Sequence, residues 1–166
     1  IKKIIKNYDE LEKPAKLEYL ENFIKRLNRK KLKIVVWTNF VGTVEMLTRR
    51  LNSLDIYSKF ICGKTPIEKA SLSEEETREQ IIEEFLDTKS GLNVLIANPA
   101  ACAESISLHK SCKHAIYYDL SYNCAQYLQS LDRIHRVGGS ETEKSYYYFL
   151  QYRASIDQDV KENLDL

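Results

Sequence analysis

The stretch from Gln129 to Gly139, Q-S-L-D-R-I-H-R-V-G-G, holds the densest set of chemically able side chains in this sequence. Read as a helix, Gln129, Asp132, Arg133 and Arg136 recur three to four residues apart and share one polar face. Two arginines at that spacing can both reach one multiply charged anion, such as a γ-phosphate gathering charge during transfer. The same pattern also describes a solvated helix face carrying an Asp–Arg pair. His135 has no readable Ser–His–acid arrangement around it, so it is expected to pack under the helix or orient a neighbour.

Gly63-Lys64-Thr65 suggests a phosphate-cradling loop, but the position five residues before its glycine is Ser58, inside an expected strand, and Pro66 follows directly. Without the first glycine and a helix directly after the threonine, the backbone cannot wrap a phosphate. Lys64 is left as a candidate contact to a nucleic-acid phosphate, or as part of a turn. Cys102, His109, Cys112 and His114 match no usual zinc spacing, and no metal site is expected. The aromatic run Tyr146–Phe149 could stack on bases, but alternating burial in a strand accounts for it better.

These side chains need a scaffold, and the chain alternates short apolar runs with longer amphipathic stretches. Strands are expected at Lys33–Thr38, Ile56–Ile61, Asn93–Ala97, Ala115–Tyr118 and Tyr146–Leu150. Helices are expected at Lys16–Arg29, Val41–Leu54, Ser73–Leu86, Cys124–His135 and Ile156–Leu164. Ser73 with Glu76 three residues on reads as a capping box, and Gly91 as the signal ending that helix. The fold class this implies is α/β, a three-layer domain with a mainly parallel sheet of five or more strands flanked by helices. In such sheets ligands bind beyond the strand ends, here at the loops beginning near Thr38, Gly63, Asn98, Asp119 and Gln151.

A length of 166 residues suits one domain. Residues 1–30 are expected to form a lead-in segment and helix, and residues 31–166 the domain proper. Net charge is +1, so contact with nucleic acid must rely on a local basic surface rather than on the field of the whole chain. No apolar run approaches the ~20 residues of a membrane span. Four cysteines without a C-x-x-C pair read as reduced thiols in a cytoplasmic protein. The start at Ile1 suggests an internal fragment or processed chain.

Several stretches, in order, resemble a known family. Gln129, Asp132, Arg133, His135, Arg136 and Gly138 match the sixth motif of superfamily 2 helicase-like ATPases of the Swi/Snf type, with Gly139 where Gln is usual. I-V-V-W-T-N-F from Ile34 resembles the fourth motif, and R-E-Q-I-I-E-E-F from Arg78 the helix before the fifth. Asn93–Leu108 resembles the fifth motif itself, with Ala101–Ser105 replacing a glycine-rich run. That departure also suggests a prokaryotic or phage-type relative.

The resemblance implies a RecA-like second lobe with Arg133 and Arg136 as arginine fingers. Gln129 and Asp132, with Glu104 and Ser105 near the ribose, would serve the nucleotide; Thr38, Asn39, Lys64 and Asn98 would grip a nucleic-acid backbone. Asn98, before Pro99, could instead simply make a turn. ATP and Mg2+ would be held mainly by a preceding N-terminal RecA-like lobe of the same parent chain, and double-stranded DNA would be the track. Lacking a P-loop and an acidic magnesium motif, the chain alone is not expected to hydrolyse ATP, whereas its parent is expected to be a DNA-dependent ATPase. The rival reading is a non-catalytic binding or regulatory α/β domain; a domain that had lost its motor would be free to lose these arginines.

Overall fold

The computed structural model describes residues 13–67, 76–102, 107–135 and 144–165. Five strands run β1 Lys33–Trp37, β2 Ser58–Ile61, β3 Val94–Ala97, β4 Cys112–Tyr117 and β5 Tyr146–Phe149. They form one sheet in the order β2-β3-β1-β4-β5, and every pairing is parallel. The helices are α1 Ala15–Asn28, α2 Val41–Asn52, α3 Arg78–Leu86, α4 Cys124–Leu131 and α5 Ile156–Leu164, with a 3-10 turn at Pro99–Cys102.

The central strand reads as an unbroken apolar run because both of its faces are covered. Ile34 and Val36 face one core, with α1 and α2; Val35 and Trp37 face the other, with α3, α4 and α5. Leu17, Leu20 and Ile24 of α1 are at most 1% exposed. At roughly 1.5–3 kcal/mol for each such side chain, α1 contributes substantially to that core.

Several expected boundaries move, among them the start of β4, at Cys112 rather than Ala115. Ser73 lies outside the described residues, and α3 instead starts at Arg78 behind Thr77. Thr77 Oγ1 accepts from Gln80 N–H (3.3 Å) while Gln80 Oε1 accepts from Thr77 N–H (3.0 Å), so the capping box sits four residues later than Ser73. Gly91 does adopt positive φ (78°), but in the loop beyond the cap residue Asp87, not at the helix end. Last, α4 stops at Leu131 rather than His135.

Cys112 and His114 do share a strand, yet they do not converge. Lys33 pairs with Cys112 and Ile34 with His114, leaving Lys113 as an extra residue on β4. Cys112 therefore faces the α3–α5 core, while His114 contacts Tyr148, which packs against the α1–α2 core.

Candidate functional site

The connection leaving β1 turns to the α2 face and the one leaving β4 turns to the α4 face, so the rim between these neighbouring strands is a topological switch point. Asp119, just past β4, fills it. Its carboxylate accepts from Thr38 Oγ1, from Asn39 N–H (2.7 Å) and from Asn39 Nδ2 (2.9 Å). Asn98, past β3, donates from Nδ2 to the Asn39 carbonyl (2.9 Å) and accepts at Oδ1 from Ala100 N–H (2.9 Å). Thr38, Asn39 and Asn98 are thus brought together, but Thr38 and Asn98 are buried and their polar side-chain atoms are spent on the protein. Asn98 also makes the turn into Pro99.

A second clamp joins the loops after β2 and β3. Arg78, the first residue of α3, donates from Nη1 to the Ala101 carbonyl (2.7 Å) and from Nε to the Thr65 carbonyl (3.0 Å). Its Nη2 reaches the carbonyls of Cys62 and Gly63, each at 3.4 Å. An arginine at a helix N-terminus opposes the helix dipole, and these carbonyls offset that cost. The same loop is not a phosphate cradle: Thr65 Oγ1 accepts from Cys62 N–H (3.0 Å), and the next described helix begins only at Arg78. Lys64 stands at its tip, 78% exposed, with Glu45 3.6 Å away.

The arginine-rich stretch is built differently. Asp132 caps α4, and Arg133 N–H bonds to the Ser130 carbonyl (3.3 Å) in a tightened turn. The expected single helical face from Gln129 to Arg136 therefore ends at Leu131. What replaces it is an anchor: the Arg133 carbonyl accepts from Leu108 N–H (2.8 Å). Gln129, Asp132 and His135 are exposed and Arg133 is half-buried. Arg136, Glu104 and Ser105 lie outside the described residues.

Cys102 ties the two arginine regions together. Burial pushes its thiol up to about 12, against the opposing positive charges of Arg78 and Arg133. Asp119 and Arg78 are the organising residues that sequence reasoning missed. Arg78 carried a signal, a cation in a first helical turn; Asp119 carried only its place at the end of an apolar run.

Residues 15–138 match the family model described as the helicase conserved C-terminal domain. The chain belongs to this family. The sequence is 28% identical to the ATP-dependent helicase fft1 of Schizosaccharomyces pombe over 89% of this chain and 14% of that protein. It is 26% identical to the SNF2 domain-containing protein CLASSY 3 of Arabidopsis thaliana over 80% of this chain and 9% of that protein. This helicase C-terminal domain thus spans a small part of such SNF2-type relatives. Both are eukaryotic proteins, so they give no support to a prokaryotic or phage-type origin.

Among solved structures, the C-terminal part of the Fun30 ATPase domain superposes with a TM-score of 0.76 at 22% identity, covering 92% of this chain and 45% of that one. The Pyrococcus furiosus Hef helicase domain follows at 0.67 and 20%, covering 96% and 30%. The fold is that of a RecA-like helicase C-terminal lobe. None of the described helices is long and apolar enough to cross a membrane.

Proposed function

We propose that this domain is the second motor lobe of a SNF2-type, ATP-dependent nucleic-acid translocase. The observation that carries the reading is the family match running unbroken through the arginine stretch to residue 138, in a lobe that lacks its own phosphate-wrapping loop. ATP and Mg2+ are held mainly by a preceding RecA-like lobe of the parent chain, and Arg133 and Arg136 are offered to the nucleotide across the cleft. The Leu108–Arg133 backbone bond supports this, because it fixes the arginine's Cα against the segment that follows the 3-10 turn. Gln129, Asp132, Glu104 and Ser105 complete the nucleotide side.

The nucleic-acid track, double-stranded DNA in this reading, meets the switch-point rim. Thr38 and Asn98 act there as positioning residues, since their side chains hold Asp119 and Asn39. Asn39, whose donors are likewise held by Asp119, shapes the rim beside them, and the exposed Lys64 supplies the contact itself.

The test is DNA-stimulated ATP hydrolysis by a longer chain that includes the preceding lobe. Arg133→Ala and Arg136→Ala are each expected to lower turnover on the order of a thousandfold. Unchanged turnover in both, with DNA binding retained, would favour a non-catalytic binding domain instead.

A further inference from the structure

The switch-point rim lies at the carboxyl ends of the strands. At the opposite end of the sheet, about 15 Å away along β1, the strands start at Lys33, Cys112 and Tyr146. A cleft of about 430 Å³ opens there, lined by Lys33, Lys110, Lys113 and Lys144 and by the rings of His114 and Tyr146. That volume is in the range of small-ligand sites. No Asp or Glu stands among the described lining residues, in a chain whose 25 basic and 24 acidic side chains otherwise nearly balance.

The members of this cleft are not equivalent. Lys33 is committed: its Nζ donates to the carbonyls of Leu92 (2.7 Å) and Asp87 (2.8 Å) and is buried. Lys110 and Lys144 are exposed. Tyr146 is the exposed member of its aromatic run, at 47%, and the other three are half-buried. Tyr147 and Phe149 pack on the α3–α5 core and Tyr148 on the α1–α2 core, whereas Tyr146 lies flat against His114, centroids 5.1 Å apart and planes 8° apart. His114 is braced in turn by Tyr148, whose hydroxyl meets its Nδ1 at 3.1 Å. Burial, then the nearby Lys30 charge, lowers the His114 pKa, so the ring under Tyr146 is held towards its neutral form beside the described lysines.

A rigid, exposed aromatic face edged by lysines is the combination that binds a base and its flanking phosphates. We propose that this cleft is a second nucleic-acid site, which takes a single-stranded segment without regard to sequence. One base stacks on Tyr146, and neighbouring phosphates meet the exposed Lys110 and Lys144. A duplex keeps its base faces covered, and an acidic peptide has no use for the ring. The site stands apart from the arginine turn and does not depend on the motor reading.

The test is fluorescence anisotropy of the full 166-residue chain with a labelled oligodeoxythymidylate of about a dozen nucleotides, a site size typical of such grooves. Tyr146→Ala is expected to weaken binding about fivefold or more, and Tyr146→Phe, which keeps the ring, by less than about twofold. The double variant Lys110→Gln, Lys144→Gln is expected to weaken binding and to flatten the log–log salt dependence by about 1.4. Lys89→Gln, an exposed lysine elsewhere, is expected to change neither. Both lysines of the double variant are exposed, so it carries the test should Tyr146→Ala fail to fold. The proposal is overturned if the chain does not bind the oligonucleotide, or if folded Tyr146→Ala and the double variant bind it as the parent does. It is also overturned if polyglutamate displaces the oligonucleotide equally well from the parent and from Tyr146→Ala, which marks an acidic-peptide site.

Discussion

Asp119 gathers three donors from Thr38 and Asn39 at the rim between β1 and β4, whereas the turn after α4 leaves Gln129, Asp132 and His135 exposed and anchors Arg133 through its backbone. The first region spends its polar side chains on itself. The second fixes its main chain and keeps Gln129, Asp132 and His135 at the surface. Polar groups closed on one another belong to the fold's stability; polar groups held in place yet exposed belong to a partner surface. The difference separates the residues that shape this lobe from those proposed to act through it.

Removing the hub should break the first region hardest. Asp119→Ala leaves the buried Thr38 hydroxyl and the Asn39 donors without their acceptor, and is expected to cost about 3 kcal/mol of unfolding free energy, read by denaturant titration. Arg78→Ala comes next at about 2 kcal/mol, because it strips a charged donor from carbonyls of the β2 and β3 loops. The smallest effect concerns Cys102, buried near Arg78 and Arg133. Its thiol pKa is higher folded (about 12) than the ordinary value of 9.0, so the folded state holds the proton more tightly. Stability is therefore intact below about pH 9 and is lost as pH rises from 9 towards 12. At pH 10 the parent should have lost roughly 1 kcal/mol more than Cys102→Ala, measured by unfolding at pH 7 and pH 10.

The locked and the open region were not equally legible. The strands and the length of α5 are visible in the sequence because apolar runs covered on both sides, and a stripe covered on one, leave distinct periods. The box at Thr77 was masked by Ser73, which fits the same pattern four residues earlier. Just past the end of α4 the chain is bonded to Leu108, 25 residues upstream, and no local period records such a contact. Asp119 shows in the sequence only as the start of a loop, and its role as a hub does not, since its partners lie 80 and 81 residues away. The arginines were legible because their chemistry is written in a contiguous stretch.

Arg133 is proposed to work on a nucleotide beyond this lobe rather than on the lobe's own stability. Single-turnover ATP hydrolysis by the two-lobed protein with Arg133→Ala, paired with denaturant unfolding of the same variant, tests it most directly. The expected result is a rate loss on the order of a thousandfold with unfolding free energy lowered by no more than about 1 kcal/mol. An unchanged rate, or a rate lost only in step with a large loss of stability, would contradict it.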